Sequence, residues 1–392
     1  MKRMHTSRRG GLSTLVRCAM GFSCALLGPE ALGQERTNRG ALSVRLEVDR
    51  TFPLTVTAVR GVRELSDGSV LALVREPRTI VIFDSTGRSQ RSIGRQGDGP
   101  GEYRGPKAIF ALGGDSSLVV DGTNRKWYLL DRDKFATFRP SSDAWQPVLS
   151  SGVDARGTLL QMVGLFSSDN PRQAWLADPL PQFSKRIALV LRTLDGKTQI
   201  IDTVTGQFFG SIDGRITMNG RSVYYVGIVN PLQTHDQAVM FASGEIAIAH
   251  FSPYRVDWRA RDGVVRRGPP VGEPVVAVTP AIKRRFADDW KRNDDGTPML
   301  GLDGFPPWPA VVPPFLDDAL VAGADGLLYV TRTRSATTEK LVVDVFDKSG
   351  TRTGTAILPA GCRLLAVTSR GWYVAQRNED DEETLVRYRR VK

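Results

Sequence analysis

The most constraining feature of this sequence is a unit that recurs along most of its length. The unit is a strand, a tight turn with Asp or Gly, a second strand, a loop, a third strand that ends in Asp, and another turn with Gly. Copies lie at residues 65–87, 93–133, 153–203, 239–263, 324–350 and 364–391. Gly68 and Gly87 are 19 residues apart, as are Gly244 and Gly263. Repetition of this kind predicts a repeat architecture.

Six copies predict an all-β fold, namely a six-bladed β-propeller of four-stranded antiparallel blades. The fourth strand of each blade is expected from the segment after the second turn, such as 89–93. Because the sixth copy runs to the chain end, its outer strand is expected from residues 43–48 or 55–59, which would close the ring without a free sheet edge. A seventh blade would require 216–229 to be complete, but that stretch lacks the second turn.

The second copy resembles one NHL repeat, in which Gly-x-Gly-Pro-Gly-[Gln/Glu]-[Phe/Tyr] leads through Pro into a strand and later into Val-Ala-Asp-x-x-Asn-x-Arg. It departs from that repeat at Gly114-Asp115-Ser116-Ser117, where the repeat has Asp-x-x-Gly. The resemblance implies a β-propeller and indicates little about activity. The motif residues that this chain keeps are Gly97, Gly99, Pro100, Gly101, Glu102, Tyr103, Pro106, Asp121, Asn124, Arg125 and Asp131.

The N-terminus is predicted to be a secretory signal peptide over residues 1–33. It has a basic start, a mildly apolar stretch over 12–27 and the small-x-small site Ala31-Leu32-Gly33. The mature chain, 34–392, is then one propeller domain exported to the periplasm or out of the cell. A twin-arginine form of the signal and lipidation at Cys24 stay open. This segment contains no run of about 20 apolar residues, so a transmembrane anchor is not predicted.

Charge and cysteine content narrow the function classes. Without residues 1–33 the formal net charge falls from +11 to +7, and Cys362 is the one cysteine left. The basic residues are spread along the chain, which argues against a nucleic-acid partner. Cys362 precedes an apolar run and is expected to be a small buried residue and not a nucleophile. We expect a monomer.

Three insertions interrupt the regular spacing, at 166–186, 207–236 and 268–316. Binding residues concentrate in such loops on a rigid scaffold. The third insertion contains the one predicted helix, over 280–292, with Thr279 as its cap and Pro280 at its first position. The proline-rich segment that follows, around Trp308, is expected to lie over one mouth of the central channel, either as a ligand contact or as a lid packed for stability.

The candidate ligand-binding residues are Asp121, Asn124, Arg125, His250 and Trp308. Each has a structural alternative, because Asx side chains bond to their own loop backbone and histidines are often satisfied core residues. No catalytic residue is assigned, since Gly-x-Ser-x-Gly does not occur. The mature chain has two histidines, too few for a zinc site of three, so no metal and no cofactor is assigned.

The sequence therefore favours an exported binding or interaction module. It would recognise a small molecule, a glycan or a protein through loops at one mouth of the channel. The alternative is an enzyme similar to the calcium-dependent six-bladed lactonases and esterases, with oxygen ligands drawn from Asp121, Asn170, Asn219, Asn230 and Glu245. No spacing marks those residues as a set. A cell-wall interaction protein that uses an outer patch is a third interpretation.

Overall fold

The structure of the protein is a computed structural model that describes residues 42–88, 90–123, 126–138, 150–164, 186–207, 211–218, 221–288, 300–305, 307–334 and 340–391. Across these ranges the chain is built from β-strands, with one α-helix and one turn of 3-10 helix. The predicted all-β class with one short helix is confirmed. The predicted signal peptide lies outside the described residues.

The N-terminal strand is followed by two four-stranded antiparallel sheets with a short parallel pair between them. The first strand is β1 (Leu42–Val56). The first sheet contains β2 (Val59–Glu64), β3 (Val70–Val74), β4 (Thr79–Phe83) and β5 (Gln90–Ile93). The parallel pair is β6 (Arg95–Gln96) and β7 (Glu102–Tyr103). The second sheet contains β8 (Pro106–Ala111), β9 (Ser116–Asp121), β10 (Lys126–Asp131) and β11 (Lys134–Phe138).

The third and fourth sheets repeat this order and are separated by a hairpin. The third contains β12 (Ser150–Val153), β13 (Leu159–Gly164), β14 (Arg186–Arg192) and β15 (Thr198–Gln207). The hairpin is β16 (Ser211–Met218) with β17 (Arg221–Val229), and β18 (Thr234–His235) pairs with the end of β15. The fourth sheet contains β19 (Gln237–Met240), β20 (Ile246–Phe251), β21 (Tyr254–Arg259) and β22 (Val265–Arg267).

The helical segment leads into the last two sheets. Helix α1 (Pro280–Asp288) begins where expected, with the Thr279 hydroxyl accepting the Ile282 amide at 3.3 Å, and the 3-10 turn is Leu302–Gly304. The fifth sheet contains β23 (Leu320–Ala322), β24 (Leu328–Thr331), β25 (Lys340–Phe346) and β26 (Arg352–Ala360). The sixth contains β27 (Cys362–Val367), β28 (Trp372–Arg377) and β29 (Glu383–Val391).

The recurring turns set the strand spacing. In the first sheet the Asp67 carboxylate accepts the Ser69 amide at 2.8 Å, and Gly68 has φ 90°. A residue with a Cβ is strained at that φ, so glycine is the natural occupant. In the third sheet the Asp154 carboxylate likewise accepts the amide two residues on, that of Arg156, at 2.9 Å, and Gly157 closes that turn with φ 84°. The Asp and Gly positions read from the sequence therefore have a direct structural cause.

The core is divided among the interfaces between neighbouring sheets. In the described residues there are six clusters of buried apolar side chains, and each joins two sheets. Five of them join sheets that follow one another in the chain. The remaining cluster joins the first sheet to the sixth. This arrangement of antiparallel sheets packed face to face is consistent with a β-propeller.

Strand β1 joins the fifth and sixth sheets. Its first residues pair in parallel with β26, and its remainder pairs antiparallel with β29 along most of its length. The three elements lie in one eight-stranded sheet. Phe52 of β1 is buried, and its ring lies 5.1 Å from Phe83 of the first sheet and 5.9 Å from Tyr373 of the sixth.

Each sheet has two ends, and these define two faces of the molecule. The first strand of each sheet finishes at one of these ends, and we call that end the turn face. Contacts between turns of different sheets place those turns together: the Ala155 amide donates to Ala242 O at 2.9 Å, and the Ala324 amide donates to Val367 O at 2.9 Å. We call the opposite end the insertion face, because β13, β15 and β22 finish there and the three long insertions follow them.

Replacing Phe52 with alanine should lower the free energy of unfolding by about 3–5 kcal/mol, because it empties a buried site between the first and sixth sheets. Urea denaturation measures the change. The matched control is Val48→Ala on the same strand, where the side chain is 57% exposed and the expected change is within about 0.5 kcal/mol. Equal effects of the two substitutions would contradict this account of the interface.

Candidate functional site: the central cavity

The first strands of the sheets surround a cavity. Strands β2, β8, β12, β19, β23 and β27 each lie at the end of the described strand order, so one side of each has no strand partner. Residues from all six line a cavity of about 600 Å³. Its wall carries Val62, Ile109, Val239 and Leu320, together with backbone from neighbouring positions. This volume lies within the range of small-molecule sites, which is about 300–1,000 Å³.

Glu64, at the end of β2, is the most buried acidic group on the cavity wall, with 5% of its surface exposed. Its carboxylate accepts a hydrogen bond from Arg370 Nη1 at 3.1 Å and one from the Thr368 hydroxyl. Arg387 Nη1 lies 3.6 Å away. The negative charge is therefore compensated by the sixth sheet, and the contact ties that sheet to the first.

Arg63 neighbours Glu64 in sequence and turns toward the second sheet. Its Nη1 donates to Glu64 O at 2.7 Å, and its Nη2 donates to Gly114 O at 2.8 Å. Its Nε is buried and has no hydrogen-bond partner among the described residues. Burial lowers the pKa of Arg63. The side chain thus links the first sheet to the turn of the second, and its Nε is a buried donor that has no partner among the described residues.

The rim between the first two sheets is a network of opposite charges. The Asp115 carboxylate accepts the Ser66 amide at 2.7 Å and the Ser66 hydroxyl at 2.8 Å, and these bonds lower the pKa of Asp115. Arg132 Nη1 donates to Asp115 at 2.8 Å and its Nη2 donates to Asp67. The turn face therefore offers hydroxyl, guanidinium and carboxylate groups beside apolar wall.

Of the residues that the sequence predicts for the site, Asp121 holds a turn together. Its carboxylate is fully buried and accepts the backbone amides of Arg104 at 2.7 Å, Gly105 at 3.1 Å and Thr123 at 2.9 Å. Asn124 and Arg125, which follow in the same loop, lie outside the described residues. Asp121 does not line the cavity. Its role as a ligand contact stays a prediction.

His250 lies between two buried carboxylates. Its Nδ1 is 2.9 Å from Asp236 and its Nε2 is 3.1 Å from Asp257. Each ring nitrogen therefore has a carboxylate partner. Arg255 Nε also donates to Asp257 at 3.0 Å. The arrangement links the start of the fourth sheet to its third strand and does not line the cavity.

Trp308 packs within the third insertion. Its ring lies 5.5 Å from Phe305 in an edge-to-face arrangement, and Lys283 Nζ of α1 lies 6.0 Å from the ring centre. Its Nε1 donates to Leu302 O at 3.5 Å. The insertion is anchored to its neighbour by Asn230, whose Nδ2 donates to Pro307 O at 3.2 Å. Trp308 therefore belongs to the insertion face and lies away from the cavity lining.

A calcium ion would need six to eight oxygen ligands. The carboxylates on the cavity wall, Glu64 and Asp115, are each already bonded to an arginine. In the part of the chain that the structure describes, no three His, Cys, Asp or Glu side chains are grouped as a metal site requires. A calcium site therefore stays a prediction of the alternative interpretation. Of the oxygen ligands named from the sequence, Asn170 and Asn219 fall outside these ranges.

Sequence reasoning missed Glu64 and Arg370, which form the polar wall of the cavity. The one available signal is the pair Arg63-Glu64, which interrupts the apolar pattern just before the first turn. Cys362, in contrast, is buried as the sequence predicts. Nowhere in the described ranges does a helix have the length and apolar character needed to cross a membrane.

Comparison with known proteins finds no matching family model and no matching curated protein. Similar solved structures include a member of the DUF4221 family from Bacteroides vulgatus, with TM-score 0.49 and 9% identity over 89% of this chain and 99% of that one. Virginiamycin B lyase from Staphylococcus aureus has TM-score 0.41 and 10% identity, over 88% of this chain and 99% of the lyase chain. Regucalcin, a calcium-binding protein from Agrobacterium tumefaciens, has TM-score 0.38 and 11% identity, over 88% of this chain and 94% of the regucalcin chain. Scores below 0.5 carry no conclusion about ligand or activity, and the NHL resemblance stays a prediction.

Burial raises the pKa of the Cys362 thiol to about 11. The unfolded thiol ionises at lower pH, near about 8.5, so the unfolded state loses its proton first as pH rises. Cys362 therefore contributes stability that declines between about pH 8.5 and 11. Urea unfolding of the wild type and Cys362→Ala across this range should show a stability difference that shrinks as pH increases. A difference that stays constant would contradict the assignment.

Proposed function

We propose that the six sheets are the blades of a six-bladed β-propeller that β1 closes. Two observations support this architecture. Each interface between successive sheets has its own apolar cluster, including the interface between the sixth sheet and the first. Strand β1 also supplies the outer strand that the sixth sheet lacks, by pairing with β29. The Phe52→Ala experiment measures the strength of this closure.

Within this architecture the protein is a binding module, and its ligand occupies the central cavity. The observation that carries the proposal is the cavity of about 600 Å³, which all six first strands line. Residues 34–392 would form this single domain, and export would follow from the signal peptide over residues 1–33. The ligand enters from the turn face, where Ser66, Asp115 and Arg370 border the cavity.

The chemistry of the wall favours a small polar ligand with several hydroxyl groups, such as a saccharide. Unpaired strand edges present backbone N–H and C=O groups. The hydroxyl groups of a ligand can accept hydrogen bonds from the N–H groups and donate hydrogen bonds to the C=O groups. Apolar patches at Val62 and Leu320 would contact the ring faces of a sugar. Charged groups of both signs at the rim do not favour a strongly charged ligand here.

The cavity can be tested by filling it. Ala111, at the end of β8, is half-buried and lines the cavity. Mono- and disaccharides screened by thermal denaturation should raise the midpoint of the wild type, because a ligand that binds only the folded state stabilises it. Ala111→Leu should abolish that increase, since the larger side chain occupies the site.

The matched control is Ala281→Leu, which makes the same change at an exposed position of α1. It should keep the saccharide-induced increase. The unliganded midpoints of all three proteins should be close, so that loss of binding is separated from loss of folding. An increase that is equal in Ala111→Leu and wild type, or absent from wild type throughout the panel, would refute the proposed site.

The alternative, a calcium-dependent lactonase or esterase, makes a different prediction. Because Glu64 and Asp115 are already bonded to arginines, we expect that a chelator leaves the thermal midpoint unchanged and that added calcium does not raise it. Thermal denaturation of the purified protein with EDTA, and with calcium added back, measures this. A midpoint that falls with EDTA and recovers with calcium would favour the hydrolase and direct a screen of lactones and esters.

A further inference from the structure

Four arginines lie together on the insertion face, where the first sheet meets the sixth. Arg60 is the second residue of β2, and Arg363 is the second residue of β27. Arg75 and Arg78 belong to the connection between β3 and β4, which finishes on the same face. We call these four residues the arginine cluster. None of them lines the central cavity.

Two contacts place the members of the arginine cluster. Arg363 Nη2 donates to the carbonyl oxygen of Val59 at 2.6 Å, which holds it beside the residue that precedes Arg60. Arg78 Nη1 donates to the carbonyl oxygen of Arg104 at 3.3 Å, and the Arg104 guanidinium is itself bonded to the Asp98 carboxylate. The pKa of Arg60 is lowered first by partial burial and then by repulsion from Arg75, Arg78 and Arg363.

The positive charge of the arginine cluster is only partly compensated. Arg363 is paired with the buried carboxylate of Glu383 at 2.9 Å. Arg75 lies 4.0 Å from Glu76, and both side chains are more than half exposed. Such exposed pairs contribute little. In the described ranges Arg60 and Arg78 have no carboxylate within 4.0 Å.

An acidic turn also lies on the insertion face, and two of its carboxylates are bonded locally. Residues 378–382 connect β28 to β29 and carry four carboxylates. Asp381 pairs with Arg377 at 3.6 Å, and Glu382 accepts a hydrogen bond from Asn378 at 3.2 Å. Arg60 is repelled by three arginines, and the buried Glu383 carboxylate beside it accepts the Val59 amide at 2.7 Å and pairs with Arg363. Among the described residues no ion pair joins this turn to the arginine cluster.

The position of the cluster leaves it open to solvent. The three long insertions follow strands β13, β15 and β22, which belong to the third and fourth sheets. The first and sixth sheets have short connections on this face, and Arg60, Arg75 and Arg78 are exposed. Guanidinium groups match the geometry of carboxylate and phosphate oxygens through paired N–H donors. Unbalanced arginines held close together are suited to an anion that bridges them.

We propose that the arginine cluster is a binding site for a small multivalent oxyanion, either a phosphate compound or a polycarboxylate. The bound anion would relieve the repulsion among the four guanidinium groups and accept paired hydrogen bonds from Arg60 and Arg78. This site lies on the face opposite the rim of the central cavity and does not depend on a ligand there. It adds a second ligand class to the saccharide-type ligand proposed for the cavity.

Isothermal titration with inorganic pyrophosphate and, separately, citrate at constant ionic strength tests the proposal. The wild type should bind at least one of them saturably, and the one that binds identifies the phosphate or the carboxylate class. The double variant Arg60→Gln, Arg78→Gln should bind about ten- to a hundredfold more weakly, because two charge-assisted donors are lost. Its thermal midpoint without anion should not fall, since like charges are removed.

The matched control is the double variant Arg88→Gln, Arg266→Gln. It removes the same charge at two exposed positions, one in the turn after β4 and one in the outermost strand β22. It should bind the anion as the wild type does. Equal weakening in both double variants would show a general effect of net charge and overturn the proposal, as would the absence of saturable binding to either anion. Ala111→Leu should retain anion binding, which separates failure of this site from failure of the cavity.

Discussion

The structure depends on the burial of both faces of its sheets. Strand β3 shows the constraint most clearly, because all five of its residues are buried. A sheet that is apolar on both sides must be covered on both sides, and a row of such sheets would leave one bare face at each end. Packing the first sheet against the sixth removes both bare faces together. Phe52 lies at this junction, in contact with each of the two sheets.

The same constraint produces the cavity. Sheets that pack face to face around an axis bring their first strands together, and the twist of each sheet keeps those strands from meeting. Backbone edges then face a shared space, and the side chains near the strand ends decide its chemistry. The neighbouring sheets supply partners for these groups: Arg370 balances the charge of Glu64, and Gly114 O accepts from Arg63 Nη2.

Local features of the fold were readable from the sequence, and long-range ones were not. The Asp67-Gly68 turn is predicted because its hydrogen bond and its positive φ involve residues one or two positions apart. The motif around Asp121 was found for the same reason, and the structure shows its carboxylate bonded to nearby amides. Glu64 and Arg370 are 306 positions apart. No local pattern signals that contact, so the polar wall of the cavity went unnoticed.

The pairing of β1 with β29 joins the beginning of the described chain to its end, and this has a consequence for how the molecule is completed. Ribosomal synthesis produces β1 long before β29. Until Glu383–Val391 is available, β1 has no antiparallel partner, and the apolar ring of Phe52 lacks its neighbour Tyr373 until the sixth sheet forms. The antiparallel pairing of β1 therefore forms only after a segment far along the chain has been made. Until then β1 could pair only through Leu42–Val44, with β26.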